Sequence, residues 1–168
     1  MASMGRTRTL KGNGTPATVA AAKAGIEFTL HPYEADAGAR SYGEAAADAL
    51  GLPHDQIFKT LLAEVDGRLV VGVVPVAASL DLKALAAAAG GKKAQMADPV
   101  AAERATGYVV GGISPLGQRK RLPTIVDASA SGFATVYVSA GRRGLQIELA
   151  PADLIRLTGA GTAGIARH

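Results

Sequence analysis

The chain has no cysteine among its 168 residues. That excludes a disulfide scaffold and any protein thiolate acting as a nucleophile. Aromatic residues make up only 4%, so binding of single strands by stacking successive bases on rings is not indicated. No apolar run approaches the roughly 18 residues a membrane-spanning helix needs, and we expect no contact with a membrane. The N-terminus carries Arg6, Arg8 and Lys11 with no apolar stretch behind them, so it does not read as a secretory signal, and a cytoplasmic location is expected. His31, His54 and His168 lie far apart, without His-x-x-x-His or carboxylate–histidine spacing. No metal site and no cofactor are expected.

What is present is a hydrophobic fraction of 48% with 19% charged residues, the balance of a chain that buries a core. The length suits one domain. The net charge of +4 is unevenly spread. Residues 1–14 hold three cations and no acid, residues 15–87 five cations and nine acids, and residues 88–168 ten cations and five acids. A basic C-terminal half suits an anionic partner on one face; chance clustering is the bland alternative.

Residues 1–14 lack apolar period and read as a disordered arm or a cloning remnant. Folded structure is expected over 15–158, followed by a loose tail over 159–168. Thr15-Pro16 opens a helix that stops at Gly25, and Ile26 to Tyr33 alternates as a strand does. Ser41 and Glu44 form a capping box for a helix ending at Gly51-Leu52-Pro53. Residues 56–66 and 68–76 flank Asp66-Gly67 and predict a β-hairpin. Helices follow from Asp81 to Ala89 and from Asp98-Pro99 to Thr106. A short strand is expected over Tyr108 to Val110, three more over 124–128, 134–138 and 145–149, and a last helix from Pro151 to Thr158. Helices and strands interleave irregularly, so the expected class is α+β: a single domain with a mixed, curled β-sheet flanked by helices.

The most distinctive stretch is Gly107 to Pro123, which contains Gly111-Gly112-Ile113-Ser114-Pro115, Gly117 and three cations, Arg119, Lys120 and Arg121. Glycines let another molecule approach the main chain, and bare N–H groups in such a loop can hold an oxyanion or phosphate. An ordinary glycine-rich loop with a solvated basic tip is the alternative. Lys59 shares a strand face with Ile57, Leu61 and Ala63. If that face points inward, its ammonium needs a carboxylate, a carbonyl or a ligand; in the other register, with Phe58, Thr60 and Leu62 facing the core, it is solvated. Tyr33 lines a pocket or covers the core edge. Ser114 and Ser139 lie outside any Gly-x-Ser-x-Gly elbow and serve turns more readily than nucleophilic attack. Lys92-Lys93, Arg119 to Arg121, Arg142-Arg143 and Arg156 are solvated surface cations taken singly, and together they suit the backbone of a folded RNA.

A set of motifs runs in order along the chain: Thr15-Pro-Ala17, His31-Pro-Tyr-Glu34, Phe58-Lys-Thr-Leu-Leu62, Leu80-Asp-Leu-Lys83, Met96-Ala-Asp-Pro99, Val110-Gly-Gly-Ile-Ser-Pro-Leu-Gly-Gln118, Tyr137-Val-Ser139 and Gly144-Leu-Gln-Ile-Glu-Leu149. Over residues 15–158 this resembles the YbaK/EbsC family of free-standing Cys-tRNA(Pro) deacylases, related to the editing domain of bacterial prolyl-tRNA synthetase. The resemblance implies a barrel-like curling of the sheet, hydrolysis of Cys-tRNA(Pro) and transient cooperation with prolyl-tRNA synthetase. It implies catalytic roles for Lys59, Gly112 and Tyr33. It implies substrate contacts from Thr60, Gly111, Ile113, Ser114, Pro115 and Ser139, and tRNA contacts from Arg119, Lys120, Arg121, Arg142 and Arg143. In this family the substrate's own thiol is thought to attack its ester carbonyl, releasing a thiolactone, which agrees with a chain offering no cysteine, triad or metal site. The rival activities are an Ala-tRNA(Pro) deacylase and a non-catalytic module binding tRNA or synthetase. Ser139-Ala-Gly-Arg-Arg-Gly144 departs from the family's usual Ser-Gly-Gly-Lys-Arg-Gly, and Gln146 stands where some relatives carry an acid and receives no role.

Overall fold

The computed structural model of the protein describes residues 14–34 and 41–168; the arm expected over residues 1–14 lies, except for Gly14, outside them. Helix α1 (Pro16–Lys23) begins at a reciprocal capping box. The Thr18 N–H donates to Thr15 Oγ1 at 3.1 Å and the Thr15 N–H to Thr18 Oγ1 at 2.8 Å, satisfying two of the donors a helix start leaves open. Helix α2 (Tyr42–Leu50) is capped by Ser41 and ends on Gly51 at φ 67°. Asp81 caps α3 (Leu82–Ala88), and Asp98 caps α4 (Pro99–Thr106). Helix α5 (Pro151–Thr158) relies on Pro151 at its first position, with no side-chain cap, because proline has no N–H to satisfy there.

The strands are β1 (Phe28–Pro32), β2 (Phe58–Val65), β3 (Arg68–Pro75), β4 (Ser79–Leu80), β5 (Ala94–Met96), β6 (Thr124–Asp127), β7 (Val136–Arg142), β8 (Leu145–Leu149), β9 (Gly161–Ala163) and β10 (Ala166–Arg167). One sheet has the order β5-β2-β3-β6-β9, a second β1-β8-β7, and β10 pairs with β4. β2 and β3 are antiparallel across Asp66 and Gly67, at φ 51° and 85°. Positive φ at both residues is the turn whose twist matches a hairpin. β3–β6 and β6–β9 are parallel, so the sheet is mixed. A parallel bridge between Ile57 and Tyr137 joins the two larger sheets along β2 and β7. The strands therefore curl around an interior without closing a barrel among the described residues.

That interior explains the apolar runs. Val70, Val71, Val73 and Val74 of β3 are all buried, as a strand covered on both faces must be. Leu85 and Ala86 of α3 pack on Val70, Val74 and Ile165. Ala17 and Ala21 of α1 and Leu154 of α5 pack on the opposite side with Val136, Val138 and Ile147. Small alanines let the helices sit close to the sheet.

Two expectations are corrected. Residues 108–110 form no strand. The Val110 N–H donates to the Glu103 carboxylate at 2.8 Å and the Val109 carbonyl accepts the Gly112 N–H at 2.9 Å. The backbone's hydrogen bonds thus go to a side chain and a turn, which leaves no ladder. Nor is the tail loose, because residues 161–163 and 166–167 are strands. The cause is Asp127. Its carboxylate accepts the Ile165 N–H at 2.9 Å, the Ala166 N–H at 3.0 Å and both the N–H and hydroxyl of Ser129. Burial alone would raise its pKa, but these bonds outweigh burial and hold it below the usual carboxylate range.

Asp127→Ala should therefore strip partners from three backbone N–H groups, those of Ser129, Ile165 and Ala166, and cost at least about 2 kcal/mol. Because the folded pKa is depressed, this contribution is present above the ordinary carboxylate range and fades as pH falls through the folded value. Urea denaturation of both proteins between pH 7 and pH 3 checks this: the gap should narrow on acidification, and a constant gap would contradict it.

Candidate active site

Where the two larger sheets meet they leave a cavity of about 310 Å³. Its wall is largely apolar, with Phe58, Leu61 and Leu62 of β2, Met96 at the end of β5 and Ala97 after it, and Ile113 from the glycine loop. Six polar residues line it: Ser41, Tyr42, Lys59, Thr60, Ser139 and Gln146. A few polar groups in an apolar pocket are what orients a small ligand.

Strand pairing accounts for three of these. Ile57 bridges Tyr137 in parallel, which brings the start of β2 against β7; Lys59 and Ser139 line the same cavity, and Ser139 pairs with Gln146 across β7–β8. Both faces of β2 are covered here: Phe58 and Leu62 enter the main core, while Lys59, on the other face, is half-buried and lines the cavity. Burial pulls the pKa of its ammonium below the ordinary lysine value, and the charge of Glu44 opposes that shift. Among the described residues Lys59 has no hydrogen-bond or ion-pair partner. Thr60 Oγ1 and Gln146 Oε1 are buried without a hydrogen-bond partner, although such groups are normally paired. Glu148, further along β8, contrasts with this. Glu148 accepts from Thr135 at 2.6 Å and lies 2.8 Å from His31 Nε2; burial opposes its charge, yet these partners hold its pKa below the usual range. Among the described residues, the buried side-chain polar atoms left without a partner are Thr60 Oγ1 and Gln146 Oε1, and both residues line the cavity.

The structure gathers some of the expected site residues and separates others. Lys59, Thr60, Gly111, Ile113 and Ser139 line the cavity. Tyr33 does not; its N–H donates to the Gly144 carbonyl at 2.9 Å, and its ring packs with Ala46, Ile57 and Tyr137. Ser114 is fully buried, its Oγ accepting the Leu116 N–H at 3.2 Å, a turn-capping role. Pro115 borders a separate hollow beside Lys120 and Arg121. Gly112 is not among the lining residues, and its N–H is used within the turn. The five expected tRNA-binding cations are all exposed. Arg142 ends β7 and Arg143 opens the turn that follows, against Gly111 and Gly112 of the glycine loop. Arg119 and Lys120 are tied by their backbone N–H groups to Thr106 and Ala105 at the end of α4. Among the described residues no group of three or more His, Asp or Glu side chains could hold a metal ion, and no helix is long and apolar enough to cross a membrane.

A cavity of this size with one unpaired cation suits a small ester or anionic group, and comparison with known proteins narrows the choice. The family described as the aminoacyl-tRNA editing domain matches residues 36–157. The chain belongs to that family. EbsC of Enterococcus faecalis, proposed as a Cys-tRNA(Pro)/Cys-tRNA(Cys) deacylase, is 44% identical over 117 residues, covering 68% of this chain and 71% of EbsC. The multifunctional Ser/Thr-tRNA deacylase ProXp-y of Escherichia coli is 28% identical over 138 residues, 79% of this chain and 80% of that protein. A crystal structure of a proposed trans-editing enzyme for prolyl tRNA synthetase superposes with a TM-score of 0.79 at 26% identity, covering 91% of this chain and 96% of the other.

Within this editing domain, Gln146 and Tyr42 are polar lining residues to which sequence reasoning gave no role. A signal for Gln146 was present. In Leu145-Gln-Ile-Glu-Leu149 the polar residues alternate with buried apolar ones, so the strand presents a polar stripe to one side. Gln146 nevertheless comes out 5% exposed, which the pattern could not show.

Proposed function

We propose that the chain is a free-standing aminoacyl-tRNA deacylase whose principal substrate is Cys-tRNA(Pro). The observation that carries this is the cavity shared by Lys59, Ser139 and Gln146, which holds a partly desolvated cation and a buried, unpartnered amide oxygen. Lys59 donates to the ester carbonyl oxygen as negative charge develops there. Gln146 Oε1 accepts from the α-ammonium of the aminoacyl group, and Thr60 Oγ1 meets its polar side chain. The reading is supported by the EbsC resemblance and by the lack of an activated protein nucleophile: the chain has no cysteine, and no His, Asp or Glu stands among the described lining residues to serve the cavity's hydroxyls as a base.

In the proposed route the substrate supplies the nucleophile. The cysteine sulfur bonds to the ester carbonyl carbon, the bond from that carbon to the ribose oxygen breaks, and the thiol proton ends on the ribose hydroxyl. Water then opens the thiolactone to free cysteine. The protein contributes orientation and electrostatics, each able to lower the barrier by several kcal/mol. The enzyme would meet mischarged tRNA through transient association with prolyl-tRNA synthetase.

The test is turnover of Cys-, Ser- and Ala-tRNA(Pro), with thiolactone trapped by a nucleophilic amine. Preference for the cysteinyl ester with a trapped thiolactone is expected. Equal turnover of the alanyl ester would move the assignment to an Ala-tRNA(Pro) deacylase. Turnover of the seryl and cysteinyl esters without thiolactone would replace thiol attack by attack of water. Binding without turnover of any ester would leave a tRNA-binding module.

A further inference from the structure

Arg143 looks from its sequence context like a phosphate ligand, yet its side chain is engaged within the protein. Its Nη2 and Nε donate to the Val110 carbonyl at 2.6 and 3.1 Å. Its guanidinium carbon lies 4.3 Å from the centre of the Tyr42 ring. Val110 belongs to the glycine loop and Tyr42 is the first residue of α2, and both line the cavity. Gly111, at φ 93°, makes the arrangement possible. A Cβ there would stand 2.6 Å from Arg143 Nε and 2.6 Å from the Tyr42 ring, so no other residue leaves room for the guanidinium to reach Val110.

We infer that Arg143 is a positioning residue: it bolts the Val110–Gly111 segment to the start of α2 and so fixes one wall of the cavity. A fork engaged on one carbonyl and stacked on one ring is poorly placed to serve a phosphate as well. Arg142 is the free member of the pair, with only a 3.4 Å contact to the Arg143 carbonyl. Lysine cannot replace Arg143, because an ammonium lacks the planar fork that donates to Val110 while lying over Tyr42. The inference rests on the deacylase reading only for its effect on rate. The bolt itself does not.

The experiment has two arms. The first is amide hydrogen exchange at Val110 and Gly112, whose N–H groups donate to Glu103 and Val109, in the full chain, which needs no substrate. Arg143→Ala and Arg143→Lys should both speed exchange at these amides, Arg142→Ala should not, and unchanged exchange in Arg143→Ala would overturn the inference. The second compares full-length Cys-tRNA(Pro) with 3′-cysteinyl adenosine, which has no tRNA body, at two salt concentrations. Arg143→Ala should lower kcat about tenfold on both substrates with an unaltered salt dependence, since a misplacement of ~1 Å costs up to about a hundredfold. Arg142→Ala should instead raise KM for the full tRNA alone and flatten its salt dependence. If Arg143→Ala behaved in that second way, Arg143 would be a phosphate ligand and the inference would fall. If the unaltered protein turned over neither ester, the deacylase reading would fall, and hydrogen exchange would still decide the role of Arg143.

Discussion

Lys59→Ala should lower kcat/KM for the cysteinyl ester by roughly a hundredfold to a thousandfold while the protein stays folded. That is the scale on which removing one well-placed donor to a developing oxyanion acts. The fold should survive because the Lys59 ammonium has no partner among the described residues, so its removal orphans nothing. Lys59→Met should be at least as stable as the unaltered protein, since a partly desolvated charge gives way to an apolar side chain on the strand that carries Phe58 and Leu62. The pH dependence supplies a second readout. Burial depresses the lysine pKa from its ordinary 10.5, so turnover that depends on the ammonium should fall as pH rises through a value below that figure. Stability moves the other way. Between the folded and unfolded pKa values the unfolded chain binds more protons, so unfolding free energy rises with pH across that window, and Lys59→Met removes the slope. Full turnover by Lys59→Ala would end the assignment of Lys59 to the ester carbonyl.

The order of elements was readable because it depends on short-range chemistry. Thr15-Pro16, Asp81 and Asp98-Pro99 name helix starts through hydrogen bonds made within three residues, and the structure keeps all three. Asp66-Gly67 names a hairpin by the backbone angles it accepts. What escaped depends on partners distant in sequence. Asp127 holds a tail about 40 residues away, and nothing in residues 159–168 announces it. The three-residue strand β5 exists because Ala94 to Met96 find an open edge on β2, not because they are strong strand formers. The same limit divides the candidate site. Lys59 stood out because a cation in an apolar alternating strand is anomalous in its own context, although only the fold shows that both faces of the strand are covered and that Lys59 lines the cavity. Gln146 could be weighed only once its amide oxygen was seen to be buried in the cavity wall without a partner. Arg142 and Arg143 are adjacent and chemically alike, and only the approach of Val110 and Tyr42 separates their roles.

The glycine loop shows how a correct motif can carry a different physical reason, and Gly112→Ala tests it. The motif suggested glycines kept bare so that a ligand could approach the main chain. At Gly112 the main chain is approached instead by the protein itself: a Cβ there would lie 2.8 Å from Arg142 Cα, 2.9 Å from its carbonyl carbon and 2.9 Å from the Arg143 nitrogen. These are backbone atoms at the end of β7 and the start of the turn that follows, fixed by the β7–β8 ladder, so they cannot swing aside as a side chain would. The loop must shift instead, and overpacking of this kind costs about 1–3 kcal/mol. For a chain of this size, about 2 kcal/mol should lower Tm by about 4–8 °C. Activity should fall beyond the fraction unfolded, because Gly111 and Ile113 on either side line the cavity and move with the loop. Gly132→Ala is the control: a Cβ there meets nothing within 4 Å, so its Tm and turnover should match the unaltered protein. A Gly112→Ala variant with unchanged Tm and lost turnover would return Gly112 to the role of a ligand contact. Loss of both, with ester turnover at low temperature reduced more than stability explains, would place it in the frame that holds the cavity wall.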